Sequence, residues 1–210
     1  MDNKKNISMA VIKRLPKYQR YLGDLVDKGV ERISSKELGE NMGFTASQIR
    51  QDLNNFGDFG QQGYGYNVKD LYGEICSILG IDKNYKVVII GAGNIGQALA
   101  NYTRFNKLNF HMRGIFDVNP KLIGLRIRDI EIKDIDELEG YLKDNHIDIG
   151  IIATPLAAAQ KVADILVESG IKAVLNFAPL DLNVPSDVIV QNVHLSESLL
   201  TLSCLLKQNS

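Results

Sequence analysis

The chain has 210 residues, of which 45% are hydrophobic and 23% charged, and its formal net charge is -1. This composition is ordinary for a globular protein of one or two domains, and a net charge so close to zero does not by itself indicate a nucleic-acid partner. The apolar runs are too short to cross a bilayer, and the basic, weakly apolar first residues do not predict a signal peptide.

The first predicted element is a helix. Apolar residues recur at nearly helical spacing between Ile7 and Val26, and Gly29 ends the pattern. Pro16 falls inside it, so we expect the helix to restart there with the proline in its first turn. The first twenty residues hold six basic side chains and one acidic side chain. This local positive charge fits a DNA-binding arm, although solvated charge of this kind is common on surfaces.

Two short helices follow and predict a helix-turn-helix. Ser34 and Glu37 form a capping box that starts the first, Gly43 ends it, and Thr45 with Gln48 forms a second capping box that starts the second. Five apolar side chains supply a shared core: Leu38, Met42, Ile49, Leu53 and Phe56. The second helix offers polar groups to base edges and phosphates, namely Thr45, Ser47, Gln48, Arg50 and Gln51. A plain αα-hairpin is the alternative, because such residues also cap helices that never meet DNA.

Between Phe56 and Val68, glycines alternate with aromatic residues, which predicts a β-hairpin with Gly63 and Tyr64 near its tip. A hairpin directly after a helix-turn-helix is typical of a wing, which lies along the DNA backbone or enters a minor groove. Aromatic packing alone would also explain Tyr64 and Tyr66. A helix from Lys69 to Leu79 completes a predicted winged-helix DNA-binding domain over residues 1–80, and a linker follows.

The strongest motif begins at Tyr85, where four β-branched residues precede a G-x-G-x-x-G sequence and a helix-forming run. Gly91 is expected to permit the tight turn, and Gly93 to let the backbone approach a pyrophosphate. Gly96 lets the helix pack closely on the strand. The free N–H groups at the helix start would face the phosphates. The remaining residues of this loop are Ala92, Asn94 and Ile95.

A second apolar run ends in Asp117, about twenty residues beyond the last glycine. A carboxylate there accepts hydrogen bonds from both hydroxyls of the adenosine ribose and repels a 2′-phosphate. The motif therefore predicts a dinucleotide site that favours NAD(H) over NADP(H). S-adenosylmethionine and coenzyme A remain alternatives, because related sheets bind them with similar turns.

The rest of the chain alternates strands and helices, as in a doubly wound parallel sheet. Helices are predicted over residues 134–145 and 156–168, and strands over residues 147–152, 172–176 and 188–193. Thr154 and Pro155 end one strand at the edge where ligands collect. Residues 85–194 are accordingly predicted to form a Rossmann-type domain.

The segment from Ser196 to Leu206 predicts a helix that is apolar over most of its circumference and so must be buried on most sides. A neighbouring subunit would bury it if two protomers exchanged this helix, and packing within the same chain is the alternative. We assign residues 195–210 to dimerisation. The predicted fold is thus α/β: a winged helix-turn-helix, a Rossmann-type parallel sheet and a C-terminal, domain-swapped helix.

A search for catalytic groups finds little. Of the three histidines, His194 is the one near a predicted ligand edge, and no carboxylate is expected to orient it. No second domain large enough for a substrate cleft remains, so an enzyme is the less favoured interpretation. Cys76 and Cys204 lack metal-ligand spacing and are expected to be reduced and buried, which indicates a cytoplasmic protein without a metal site.

In this order of segments the chain resembles the Rex family of redox-sensing transcriptional repressors over nearly its whole length. The segments that carry the resemblance are SSKELGENMGFTASQIRQDLNNFGDFG, the wing from Gly60 to Tyr66, GAGNIGQAL, GIFDVNPKLIG and the strand end IIATP. The resemblance implies homodimers with swapped C-terminal helices. Such dimers bind palindromic, A·T-rich operators when NAD⁺ predominates and release the DNA when NADH binds.

Carried onto this sequence, the resemblance makes Arg50 a DNA contact, with Thr45, Ser47 and Gln48 beside it. The loop from Gly91 to Gly96 would bind the pyrophosphate and Asp117 the ribose, while Tyr102, Thr154 and Pro155 are candidates for the nicotinamide side. Gln51 stands where the family usually has lysine, which should weaken phosphate attraction. His194 lies in a region that senses the reduced ring in relatives, and its role is left open.

The mechanism expected from this resemblance is a population shift. NADH would favour a closed arrangement of the two nucleotide domains, in which the recognition helices lose the spacing of the operator. This requires the closed state to bind NADH much better than NAD⁺. Two other hypotheses remain at this point: an NAD-dependent oxidoreductase, and a regulator of the same build that binds a different nucleotide.

Overall fold

The computed structural model describes residues 7–57, 60–61 and 64–209. The chain divides into two compact units, Met1–Lys83 and Asn84–Ser210. Within the described residues, no helix is both long enough and apolar enough to span a membrane. Gly63, which the sequence places in the wing tip, lies outside the described residues.

The first unit is a winged helix. Its helices are α1 (Met9–Asp27), α2 (Ser35–Met42), α3 (Ala46–Leu53) and α4 (Val68–Ile78). Its strands are β1 (Arg32–Ile33), β2 (Gly60–Gln61) and β3 (Gly65–Asn67), which form an antiparallel sheet in the order β1-β3-β2. The helix-turn-helix and the hairpin are therefore as predicted, and β1 is an additional strand that joins the hairpin.

Pro16 does not restart the first helix, contrary to the prediction from sequence. Helix α1 is continuous from Met9, where Ser8 caps it by accepting a hydrogen bond from the backbone N–H of Val11. A proline inside a helix leaves the carbonyl four residues earlier without its donor. Here that residue, Ile12, lies on the solvent side of the helix and is 41% exposed. The opposite face of α1 is fully packed, and this burial outweighs the helix penalty of proline, about 3 kcal/mol.

Both N-caps of the helix-turn-helix form, but of the two predicted capping boxes only that of Ser34 with Glu37 is reciprocal, because the Gln48 side chain does not bond back to Thr45. Ser34 and Glu37 form a reciprocal capping box at the start of α2, and Gly43 ends that helix in the left-handed region at φ 74°. The Thr45 hydroxyl accepts a hydrogen bond from the backbone N–H of Gln48 and starts α3. The predicted core forms around buried Leu38, Ile49 and Leu53, with Met42 and Phe56 packed at its margin.

The second unit is built on a seven-stranded sheet in the order β10-β9-β8-β4-β5-β7-β6. Its described strands pair in parallel except β6 with β7. They are β4 (Tyr85–Ile90), β5 (Phe110–Asp117), β6 (Arg126–Ile127), β7 (Ile130–Asp134), β8 (Ile149–Ile152), β9 (Ala173–Asn176) and β10 (Ile189–Asn192). The chain order reverses on either side of β4, so the crevice between β4 and β8 is where such folds bind ligands.

Helices cover the two faces of this sheet unequally. Those of the unit are α5 (Asn94–Asn101), α6 (Arg104–Lys107), α7 (Leu138–Asp144), α8 (Leu156–Glu168) and α9 (Leu195–Gln208). Side chains of α7 and α8 pack with one face, and Leu99 and Ala100 of α5 pack with the other. On the α5 side, the part of the sheet made by β8, β9 and β10 lines an open apolar groove of about 280 Å³, to which Ile149, Leu175 and Ile189 contribute.

Helix α9 forms, but its apolar surface is open to solvent in the single chain. No residue between Leu195 and Gln208 is buried, so Cys204 is exposed, contrary to the prediction from sequence, and Cys76 in α4 is half-buried. Its leucines are half or more exposed, among them Leu195, Leu199, Leu200, Leu202 and Leu205. A helix of this composition is stable in water only when another surface covers it.

Candidate functional site

The glycine loop between β4 and α5 has the geometry that its motif predicts. Gly91 has φ 100°, and a Cβ there would lie 2.5 Å from the carbonyl oxygen of Ala153. A Cβ on Gly96 would overlap the carbonyl oxygen of Gly91. Glycine is therefore required at both positions, at the first for a tight turn against the end of β8 and at the second for close helix packing.

Gly93 has a different role. It is the N-cap of α5 in an extended conformation, and no described atom lies within 4 Å of a Cβ placed on it. Nothing in the fold itself therefore requires glycine there. The space in front of it adjoins the first N–H groups of the helix at Asn94 and Ile95, which is the chemistry of an anion site. The loop thus fits a pyrophosphate that approaches the backbone closely.

Asp117, at the end of β5, contacts this loop directly. Its Oδ2 accepts a hydrogen bond from the backbone N–H of Ala92, and its Oδ1 accepts one from Asn119 at 2.8 Å. Because a carboxylate offers about four acceptor positions, lone pairs remain for a ribose diol. Gln97 also holds the loop, donating from Nε2 to the Ala92 carbonyl at 2.8 Å. Sequence reasoning missed Gln97, whose role depends on the helix turning it back toward the loop.

Thr154 and Pro155 adjoin the glycine loop at the crevice between β4 and β8. The backbone nitrogen of Thr154 would be 3.1 Å from a Cβ on Gly91, and Pro155 caps α8. The hydroxyl oxygen of Thr154 is buried and has no hydrogen-bond partner among the residues that the structure describes. Buried hydroxyls are normally satisfied, so this group is suited to a polar ligand in the crevice.

Tyr102 lies apart from these residues within the chain. It is the C-cap of α5, at the opposite end from Gly93, and a helix of eight residues is about 12 Å long. Its ring is half exposed and packs edge-on against Phe105, with centroids 4.9 Å apart. It lines a cavity of about 490 Å³ with Met112, Arg113 and other residues of β5 and β7.

His194 is oriented by a carboxylate, contrary to the prediction from sequence. It caps α9, and its Nδ1 lies 2.9 Å from Oε1 of Glu197, three residues later on the same helix turn. Its Nε2 is buried and makes no hydrogen bond within the described part of the chain. The sequence analysis overlooked Glu197 because only a helix that starts at His194 brings the two side chains together.

Helix α3, the predicted recognition helix of the first unit, presents its predicted polar side chains to solvent. Thr45, Ser47, Arg50 and Gln51 are exposed, and Gln48 is half-buried. Arg50 Nη1 donates to the Ser35 hydroxyl at 2.9 Å, which holds the guanidinium beside the start of α2. Tyr64, in the wing, is 69% exposed.

A buried polar network, absent from the sequence prediction, attaches α3 to α1. Arg14 donates two hydrogen bonds to Asp52, at 2.6 and 2.7 Å, and the Tyr18 hydroxyl donates a third at 2.8 Å. The bond to Asp52 raises the pKa of Arg14, and burial raises the pKa of Tyr18. Arg14 therefore stays charged and Tyr18 stays neutral at neutral pH.

Among the described residues, no group of three His, Cys, Asp or Glu side chains could hold a metal ion. The candidate sites are thus an exposed recognition helix with a wing in the first unit, and a phosphate-binding loop with a ribose-type acid in the second.

Both parts of the chain match known families. A family model described as CoA binding domain matches residues 82–180, and one described as putative DNA-binding protein N-terminus matches residues 6–54. The redox-sensing transcriptional repressor Rex of Clostridium kluyveri is 69% identical over 206 residues, 98% of each chain. The repressor of the same name from Clostridium novyi is 66% identical, again over 98% of each chain.

Solved structures agree. The crystal structure of RSP in complex with β-NAD⁺ and operator DNA matches with a TM-score of 0.93 and 60% identity, covering 98% of this chain and 95% of RSP. The complex of RSP with β-NADH matches with a TM-score of 0.90 and 57% identity, covering 98% and 97% of the two chains. RSP is itself described as a Rex-family repressor.

Proposed function

The chain belongs to the Rex family of redox-sensing transcriptional repressors, and we propose that it binds a palindromic, A·T-rich operator as a homodimer and releases it when NADH binds. The observation that carries this proposal is the presence, in one chain, of an exposed recognition helix and a glycine loop joined to a ribose-type acid. The named relatives are repressors, which favours this role over that of an oxidoreductase.

NAD(H) is the ligand that this site supports best. The family model that covers the loop is named for coenzyme A, but Asp117 suits a free ribose diol, whereas the ribose of coenzyme A carries a phosphate. RSP, at about 60% identity, was crystallised with both β-NAD⁺ and β-NADH. We assign the pyrophosphate to the loop from Gly91 to Gly96 and the adenosine ribose to Asp117.

We assign the nicotinamide end to the crevice at Thr154 and Pro155. The buried hydroxyl of Thr154 would give that end a hydrogen-bonding group. Tyr102 lies too far along α5 to join them within one chain, so we propose that it acts where two protomers meet. When bound, the dinucleotide supplies only its redox state, and the protein residues do no chemistry on it.

The dimer is supported by two complementary surfaces. The exposed leucines of α9 need a cover, and the apolar groove over β8, β9 and β10 is open on the same unit. We propose that residues 195–210 leave their own chain and pack on a second copy, as an exchanged helix. In this assignment residues 1–80 bind DNA, residues 85–194 bind the dinucleotide, and the protein works in the cytoplasm, where both ligands occur.

Redox sensing then follows from linkage. If NADH lowers the affinity for operator DNA by a given factor, the operator must lower the affinity for NADH by the same factor. NAD⁺ must lack this effect, since a ligand that binds both states equally shifts nothing.

The test is a fluorescence anisotropy titration. The purified dimer would first select a palindromic, A·T-rich duplex from a random library, and NADH, NAD⁺ and NADPH would then be added to the complex. We expect release by NADH at much lower concentrations than by the other two. Gly93→Ala is the matched control, because it should bind the duplex equally well and ignore NADH. DNA binding that no nucleotide changes, or no DNA binding at all, would contradict the proposal.

A further inference from the structure

The predicted wing has an unusual charge for a DNA contact. Residues 57–68 contain no lysine or arginine, and their one acidic residue is Asp58. In α3, Arg50 is the one basic residue. DNA binding depends on cations that neutralise backbone phosphates and release counterions. The wing therefore needs a positive charge from another part of the chain.

Strand β1 brings such a charge to the wing. Arg32 pairs with Asn67 and Ile33 with Tyr66, so β1 extends the sheet of the wing hairpin. Side chains alternate along a strand, and because Ile33 is buried, Arg32 points to the opposite, solvent-exposed face.

The guanidinium of Arg32 is held against Tyr64. Its Nη1 donates to the Tyr64 carbonyl oxygen at 3.3 Å, and its Cζ lies 5.9 Å from the centroid of the Tyr64 ring. The ring is itself 69% exposed. A cation over an aromatic face loses part of its freedom before any ligand arrives. Arginine has five N–H donors, so most remain available after the bond to Tyr64.

We propose that Arg32 is the DNA-binding cation of the wing, and that with Tyr64 as its platform it binds a backbone phosphate of the operator. This inference rests on the proposed function. A guanidinium is suited to this task, because its planar fork can donate two parallel hydrogen bonds to phosphate oxygens. A phosphate contact positions the protein without selecting bases, so Arg32 should support specific and non-specific binding alike.

The alternative is that Arg32 only fastens β1 to the wing. In that case its loss would change the stability of the unit but not the electrostatic part of DNA binding. The salt dependence of binding separates the two roles, since the slope of log K against log [salt] reports the number of phosphates neutralised.

The experiment compares the intact dimer with Arg32→Ala, Arg32→Lys and Lys28→Ala on the selected duplex and on an unrelated one, at several salt concentrations. Lys28 is an exposed cation just after α1 and controls for the general loss of one charge. We expect Arg32→Ala to bind both duplexes about ten-fold more weakly than the parent protein. The slope of log K against log [salt] should become shallower by about 0.9 for each phosphate that is no longer neutralised. Arg32→Lys should keep the slope, and Lys28→Ala should change neither quantity.

NADH affinity and the thermal midpoint of Arg32→Ala should equal those of the parent protein. An unchanged slope for Arg32→Ala, or an equal loss with Lys28→Ala, would overturn the assignment while operator release by NADH in the parent keeps the proposed function intact. If the parent protein bound no duplex, both proposals would fall together. A Tyr64→Ala variant should show part of the Arg32→Ala effect, because it removes the ring but keeps the charge.

Discussion

Arg14 and Asp52 form a bidentate ion pair that joins α1 to the recognition helix across 38 positions of sequence. The Asp52 side chain is 3% exposed and that of Arg14 is 19% exposed. Asp52 is thus buried, whereas its neighbours Arg50 and Gln51 on the same helix are exposed. The pair therefore determines how firmly α3 is held against α1.

Removal of one partner should be strongly destabilising. Asp52→Ala leaves the guanidinium and the Tyr18 hydroxyl without their buried acceptor, and we expect a loss of about 3 kcal/mol in the free energy of unfolding. Urea titration followed by circular dichroism measures it. Glu40→Ala is the matched control, because the Lys36–Glu40 pair is exposed and 3.9 Å long, and its loss should change stability by less than about 0.5 kcal/mol. Equal effects of the two variants would refute the structural role of the network.

The same network predicts a loss of stability at high pH. Burial and the bond to Asp52 raise the pKa of Tyr18 in the folded protein, so the unfolded chain gives up this proton first as pH rises. Stability from this group is complete below about pH 10 and declines above it. The melting temperature of Tyr18→Phe should fall less steeply with increasing pH than that of the parent protein. The melting temperature of this variant should still fall to some extent as pH rises, because burial also raises the pKa of Tyr66 and Tyr72. A parallel decline in both proteins would rule out Tyr18 as its source.

The glycine loop offers a pair of substitutions with opposite consequences. Gly93→Ala places its methyl group in open space, so we expect this variant to melt at the same temperature as the parent protein. Its affinity for NADH should be at least ten-fold weaker. Gly96→Ala drives its methyl group into the Gly91 carbonyl, so we expect a lower melting temperature than that of the parent protein. Differential scanning calorimetry and NADH fluorescence titration measure the two effects. Tight NADH binding by Gly93→Ala would show that the pyrophosphate does not bind to this loop.

Asp117 should govern the preference between the two dinucleotides. Asp117→Asn removes the negative charge that accepts from ribose hydroxyls and repels a 2′-phosphate, and we expect NADH affinity to fall about ten-fold while NADPH affinity falls less. Isothermal titration calorimetry with both ligands gives the ratio. Asp144→Asn, at the exposed end of α7, serves as the control for net charge. A ratio that stays constant in Asp117→Asn would show that discrimination lies elsewhere.

The exposed face of α9 should control assembly. A charge placed there, as in Leu199→Asp, must be desolvated if the helix is buried against a second copy, so we expect dissociation to monomers in sedimentation velocity runs. Ile189→Asp, in the apolar groove, should do the same from the opposite side of the interface. Gln208→Glu, at the last turn of α9, should remain dimeric. Dimers of unchanged stability in both aspartate variants would place the interface elsewhere.

Local features of the sequence predicted most of this fold. The glycine loop, the capping box at Ser34 and helix α8 depend on residues within a few positions of each other, and the structure has them where the sequence put them. The strands that were missed are β1, β6 and β7, of which β1 and β6 have two residues each. Short strands leave too little alternation to recognise, and their existence depends on neighbours far along the chain.

The features that the sequence did not predict have two physical causes. Pro16 was misjudged because tertiary packing of α1 outweighs a local penalty, and the Arg14–Asp52 pair joins residues that only the folded chain brings together. In both, long-range packing decides the outcome. The Glu197 partner of His194 depends instead on where α9 starts, and helix ends are hard to fix from a periodic pattern.

Asp117 accepts a hydrogen bond from the backbone N–H of Ala92 in the glycine loop, and it is also the residue that we propose binds the ribose. Its replacement by arginine or lysine, which could bind a 2′-phosphate, would leave the Ala92 N–H without this acceptor, because these side chains only donate hydrogen bonds. A change of coenzyme by such a substitution would therefore also need a second change that supplies a new acceptor for the Ala92 N–H. The hydrogen bond within the loop thus restricts which residues can replace Asp117.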